Sequence, residues 1–214
     1  MQVSPIAFAS RLTPEDEARA DFYALLSRLF AQPPDAALLA AIGAAPPLRT
    51  SGEDLGEASA ALAAAWAALV SASAGAGAEA VADEYQTLFV GVGQSEVSLH
   101  GSAYAKARNG GPLLVQVRAS LDQLHLARQP GVTMFEDHIA AVFETMRVVI
   151  LGDGRPDGFA FDVQREFYRA NIEPWVCSCC DAIYNNPIAM YYARVAQFCS
   201  DLMAIERDSF SIEA

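Results

Sequence analysis

Glu136, Asp137 and His138 stand side by side in this chain. Two carboxylates beside an imidazole can relay protons, help to hold a metal ion or accept the planar fork of an arginine. They precede Ile139, Val142, Phe143, Met146, Val149 and Ile150, whose spacing lays one apolar stripe along a helix. Thr133 and Glu136, three residues apart, carry the pattern of a capping box. The helix is therefore expected to begin there, with Glu136, Asp137 and His138 in its first turn at a surface edge. Carboxylates so placed also favour the positive end of the helix dipole without any further task.

Other residues must decide between these chemistries, and most speak against catalysis. Adjacent helix positions point in different directions, so Asp137 and His138 cannot both aim at one metal ion without outside help. Neither a His-Glu-x-x-His nor a Gly-x-Ser-x-Gly pattern occurs, and Ser102, though it follows a glycine, has no nucleophile elbow. His100 falls in a loop and His125 on an ordinary helix face. The Gly91-x-Gly93 pair lacks a preceding strand pattern and a following Lys-Ser or Lys-Thr, which a phosphate loop needs. Cys177, Cys179 and Cys180 crowd together and Cys199 follows, but this is not a paired zinc spacing, and small buried thiols are expected. No catalytic residue, metal ligand or cofactor is assigned. The rival enzyme reading is a metal-dependent hydrolase built on Glu136, Asp137 and His138.

Across 214 residues, acidic side chains outnumber basic ones 26 to 14, Lys106 is the only lysine, and the net charge is −12. That argues against a nucleic-acid partner, whose phosphates need a basic surface, and favours a basic partner. No uncharged apolar run of membrane-spanning length is read, Ser59 and Glu57 interrupting and flanking the Ala58–Val70 stretch. The first ten residues have no basic start. A cytoplasmic protein without stable membrane insertion is expected.

The elements that must position these residues all read as helices. Thr13-Pro14-Glu15-Asp16 starts the first, and Pro33-Pro34 stops it. A short helix ends at Gly43; a third runs from Glu53 to Ser71 with Leu62, Trp66 and Leu69 inward. A fourth carries Val81, Tyr85, Leu88 and Phe89, and a fifth runs from Leu113 to Leu126. After the helix at 134–151, stopped by Gly152 and Gly154, come one through Phe161 and Phe167 and one centred on Trp175 and Ile183. A last helix is opened by Asn186 and Pro187, and Ser209 to Ala214 are expected to fray. The expectation is one all-α domain, 1–214, of about nine helices. Its sub-parts, roughly 14–100 and 112–208, are joined by a mid-chain hinge loop that leaves a monomer or a domain-swapped dimer open.

Three blocks then resemble the TorD/DmsD family of molybdoenzyme chaperones. Glu84-Tyr85-Gln86-Thr87-Leu88-Phe89 with Gly101-Ser102-Ala103-Tyr104 is similar to its Tyr-x-x-Leu-Phe segment and the small residue, Ser and Tyr that follow. Glu136-Asp137-His138-Ile139-Ala140, with Glu144 and Met146, resembles its Asp-His-Ile/Leu-Ala helix, although Met134 and Phe135 stand where the family usually has proline. Phe167 to Trp175 resembles its Phe…His-x-x-x-Trp, with Asn171 at the usual histidine. The resemblance implies an all-α chaperone that binds the twin-arginine signal peptide and the apo form of a molybdopterin enzyme precursor, formate dehydrogenase-like in feel, and withholds export. A NarJ-like adaptor for a non-exported redox subunit is the alternative. The site it implies comprises Glu136, Asp137 and His138, with Tyr85, Phe89, Gly101, Ser102, Tyr104 and Trp175 around them. Asp137 and Glu136 would take arginine, and His138 would orient Asp137 or cap the peptide.

Overall fold

The computed structural model describes residues 12–48, 56–91, 95–152 and 159–212. Among them are nine α-helices and no strand, the all-α class that the apolar periodicities imply. The first ten residues, Glu53, Gly93, Gly154 and Ala214, all invoked above, lie outside the described residues.

Helix α1 (Pro14–Ala31) begins as its sequence dictates. Thr13 Oγ1 accepts from the Asp16 amide at 3.1 Å and Asp16 Oδ2 accepts from the Thr13 amide at 3.3 Å, while Pro14 has no N–H to satisfy. Asp35 caps α2 (Ala36–Gly43), accepting from the Leu38 amide at 2.7 Å. Then follow α3 (Glu57–Gly75) and α4 (Ala78–Tyr85), which passes into a π-helical turn over Gln86–Val90. After a 3₁₀ turn at Gly101–Ala103 come α5 (Leu113–Leu124), α6 (Ile139–Leu151), α7 (Phe161–Asn171), α8 (Val176–Tyr184) and α9 (Tyr191–Ile212).

Several boundaries depart from the sequence expectation. Helix α3 runs past Ser71, and at a mean hydropathy of 1.5 it is long and apolar enough to cross a membrane, which the reading of a broken run missed. Here Leu62, Trp66 and Leu69 of α3 are buried in the protein core. His125 is not on a helix face but ends α5 in the left-handed region, at φ 57. Asn186 and Pro187 do not open α9. Asn186 instead closes a turn on the Ile188 amide at 3.0 Å, and α9 begins four residues after Pro187 on a remote cap. Glu84 of α4 accepts from the amides of Met190, Tyr191 and Tyr192 at 2.9, 3.0 and 2.8 Å. A carboxylate there satisfies donors that the first turn leaves unpaired. Residues 209–212 do not fray, because Phe210 is buried against Phe161 and Tyr168 at ring separations of 5.0 and 5.1 Å.

Helix α1 lies along α6, with Tyr23 and Phe30 packed on Phe143 at 5.6 and 6.3 Å. Phe22, Trp66 and Phe198 join α1, α3 and α9 at 5.2–5.7 Å. One continuous core thus draws on both halves of the chain. The segment between them is a compact turn, in which Ala107 donates to Gly111 O at 2.9 Å and Gly110 to Ala107 O at 2.7 Å. Cys179, Cys180 and Cys199 belong to this core as free thiols, and their surroundings push all three above the ordinary thiol range.

The core also encloses a charge pair that sequence periodicity does not reveal. Glu206, fully buried, accepts from Arg19 at 2.6 and 2.9 Å and from Tyr23 Oη at 3.0 Å; Arg19 also reaches Gln164 of α7 at 3.2 Å. Removing one partner of a buried pair leaves the other charge unmatched, which costs about 3–5 kcal/mol. Arg19→Met should lower the urea midpoint by that amount of stability with an unchanged m value, measured at equilibrium by circular dichroism.

Candidate functional site

Helix α6 starts at Ile139, three residues later than Glu136, so the expected first helical turn is instead a passage made of a turn at Glu136 and Asp137, closed by the His138 amide on Phe135 O at 3.1 Å, and an extended His138. The reason lies in the bonding of that passage. Residues 99–101 pair with it: Gly101 donates to Asp137 O and Ile139 to Leu99 O, each at 2.8 Å, and His100 bridges His138 in antiparallel fashion. These bonds hold His138 extended and commit the Asp137 carbonyl and the Ile139 amide to partners outside the helix, which a helical turn begun at Glu136 would break.

Asp137 is consequently not at a surface edge. It is 3 % exposed, its Oδ2 accepts from the Ser102 amide at 3.1 Å, and its Oδ1 meets His100 Nδ1 at 3.2 Å. Burial pushes this carboxyl up, but the hydrogen bonds from His100 and Ser102 outweigh it and hold it at about 2. His138 is the N-cap of α6: its Nδ1 accepts from the Ala140 amide at 3.2 Å, which places the ring proton on Nε2. Burial, with the neighbouring His100, lowers its pKa to about 4, so the ring is neutral at pH 7. Thus Asp137 is oriented by His100 and Ser102 rather than by His138.

Gly101 fits beneath this junction because it has no side chain. A Cβ there would come within 2.5 Å of Leu113 Cδ2 and 2.7 Å of Trp175 Cε2. Trp175 is fully buried and donates to Asn171 O at 2.7 Å. Tyr104 stacks on it at 6.1 Å and donates to Ser98 O at 2.8 Å. Asn171, in turn, donates to Ser120 Oγ and Phe167 O at 3.0 and 3.1 Å. Gly101, Ser102, Tyr104, Trp175, Asp137 and His138 therefore form one contiguous support. Tyr85 and Phe89 do not join it. They pack on each other and on Tyr192, with Tyr85 Oη donating to Phe30 O at 3.0 Å, as part of the core around α4 and α9.

Beside this support opens a groove of about 360 Å³. One wall is α1 and α6, through Ser27, Ala31, Ala140, Ala141, Thr145 and Val148. The other is the segment after α5, through Leu126, Val132 and Met134. Glu136, Glu144 and Arg128 supply its charges. Partial burial pushes Glu136 up, but its own backbone amide and the guanidinium of Arg118, at 3.0 Å, leave it below the ordinary carboxylate range. Glu144 is held by Arg147 at 2.6 and 2.9 Å. Sequence reasoning placed Glu144 in a motif but not in a site, and missed Arg118 and Arg128. The small pair Ala140-Ala141, with Glu144 and Thr145 one turn on, was the signal of a second, shallower face on α6. Among the described residues no cluster of three His, Cys, Asp or Glu side chains is placed to hold a metal ion.

The family described as nitrate reductase delta subunit matches residues 55–181, more than half of the chain and all three of the sequence blocks above. The chain belongs to that family. Its members are molybdoenzyme assembly chaperones and not enzymes, so the resemblance to TorD/DmsD chaperones is borne out. No curated protein matches the chain. In this arrangement the bonds of the buried Asp137 and His138 are taken up within the chain, while Glu136, 13 % exposed, and Glu144, 48 % exposed, line the groove.

Two measurements check this division of labour. His138 is neutral in the fold but takes a proton near 6.5 when unfolded, so its contribution is complete above about 6.5 and is lost as pH falls towards 4. Between pH 7.5 and 5 the wild type should lose about 2 kcal/mol more stability than His138→Asn, which keeps a capping acceptor, in paired urea titrations. Gly101→Ala should lower stability by about 1–3 kcal/mol, read as a fall in thermal midpoint, because Leu113 and Trp175 cannot both withdraw.

Proposed function

We propose that this chaperone binds the twin-arginine signal peptide of a molybdoenzyme precursor in the groove between α1, α6 and the 125–136 segment. It does so in the cytoplasm, holding the apo-enzyme until its molybdopterin is inserted and delaying export meanwhile. The observation that carries this reading is the groove itself, an apolar trough with Glu136 and Glu144 among its lining residues. A twin-arginine signal joins a basic start to a short apolar stretch, and such a segment needs both halves of that surface at once. Val132, which lines the groove, is itself exposed and adds to its apolar surface.

Within this reading Glu136 and Glu144 take the arginines, while Asp137, His138, Gly101, Ser102, Tyr104 and Trp175 fix the shape of the site from beneath. Tyr85 and Phe89 act through the core. The loop Gly91-Val92-Gly93 and the context of Trp175 support a formate dehydrogenase-like client. A second reading, an adaptor that grips a redox subunit lacking an exported signal, is favoured by the description of the matched family.

Calorimetry separates them. The purified protein should bind a twin-arginine signal peptide with micromolar or tighter affinity, about −8 kcal/mol, and lose affinity when Arg-Arg is replaced by Lys-Lys. The double variant Glu136→Gln, Glu144→Gln should lose about 1–3 kcal/mol of that binding. A folded protein that ignores every signal peptide but retains the mature subunit would decide for the adaptor.

A further inference from the structure

We infer that Arg128 competes with an incoming arginine for Glu136, and so sets the threshold of affinity a client segment must exceed. The inference rests on the signal-peptide reading above and names a specificity determinant of the same groove. The two oxygens of Glu136 are treated differently. Arg118 bonds Oε2 through Nε at 3.1 Å and through its terminal nitrogen at 3.0 Å. Arg128 has its Nε 3.8 Å from Oε1, too far for a hydrogen bond, and its terminal nitrogen is given to Met134 O at 3.2 Å. Both Arg128 and Glu136 line the groove, and Arg118 does not.

Oε1 is thus the oxygen with a loosely held cation on the groove side. A guanidinium arriving with a client segment can close to about 2.7–2.9 Å on that oxygen. Arg128 opposes it in two ways: its charge repels the newcomer, and its approach to Oε1 must be given up. Because Arg128 is 39 % exposed, its own attraction to Glu136 is weak and easily exchanged. A segment bearing one arginine against a poor apolar stretch gains too little to displace it, whereas a basic pair followed by a good apolar stretch gains enough.

The test compares wild type, Arg128→Gln and Arg207→Gln for binding of one twin-arginine signal peptide by calorimetry at fixed salt. Arg207 lies on α9, outside the groove, and its removal changes net charge equally. Arg128→Gln should bind about two- to fivefold tighter, the range of an exposed ion pair, and Arg207→Gln should match the wild type. In the wild-type protein the Nε–Hε resonance of Arg128 should also shift when the peptide is added, and that of Arg207 should not. Unchanged or weaker binding by Arg128→Gln, or an equal gain in Arg207→Gln, would overturn the inference and leave the peptide reading intact. An absence of binding by all three folded proteins would overturn both.

Discussion

Asp137 carries its carboxylate into a place where only 3 % of the residue is exposed, and the bonds around it decide where α6 begins. Its side chain meets His100 and the Ser102 amide, and its carbonyl meets the Gly101 amide. Both side-chain partners offer protons, so an acceptor is needed at each oxygen. An amide side chain would present a donor to one of those donors and leave it unsatisfied. The negative charge is therefore the tie that holds 99–102 against the start of α6. With that tie in place His138 caps the helix, Gly101 comes down onto Trp175, and Glu136 is turned into the groove.

The same device, a carboxylate reaching from a distant element, recurs twice. Glu84 supplies the cap that the local sequence of α9 does not, and Glu206 draws Arg19 and Tyr23 onto α9 from α1. These two ties join parts of the chain more than a hundred residues apart. Apolar faces alone would let long helices slide along one another, since a ridge fits several grooves nearly as well. A buried carboxylate with fixed donors fits one register only. The helices thus receive their contact area from Leu, Phe and Trp, and their register from a few acids.

This explains which parts of the molecule could be read from the chain. Helix existence rests on local periodicity, so the stripes of α1, α6 and α9 were legible, as were the Thr13-Pro14 start and the Gly43 end. Helix starts set by remote partners were not: nothing within four residues of Pro187 points to Glu84, and nothing near Thr133 points to Leu99 or Gly101. The Glu136-Asp137-His138 cluster was found, with Glu136 and Asp137 expected to take arginine and His138 to orient Asp137 or cap the peptide. In the fold the three side chains diverge into a groove acid, a buried tie and a helix cap, because Glu136 and Asp137 lie in a turn and only His138 is extended, so the three do not share a helix face.

The groove owes its openness to small side chains in the right places. Ser27 of α1 donates to Ala140 O of α6 at 2.8 Å, so the two helices approach closely where bulky residues would hold them apart. Ala31, Ala140 and Ala141 then leave a trough above the contact instead of filling it. The facing wall comes from a segment that is not helical, and it contributes Leu126, Val132 and Met134. A wall of packed helices resists deformation, while a methionine and its loop neighbours can re-fit around ligands of different outline. A site made of one stiff wall and one adaptable wall does not read the order of apolar residues closely. Its discrimination must come from the charges at the edge, where Glu136 and Glu144 are already matched by arginines of the same chain. On the proposed reading, such a groove would measure in a client segment the strength of its basic end against those arginines, with the apolar stretch supplying affinity.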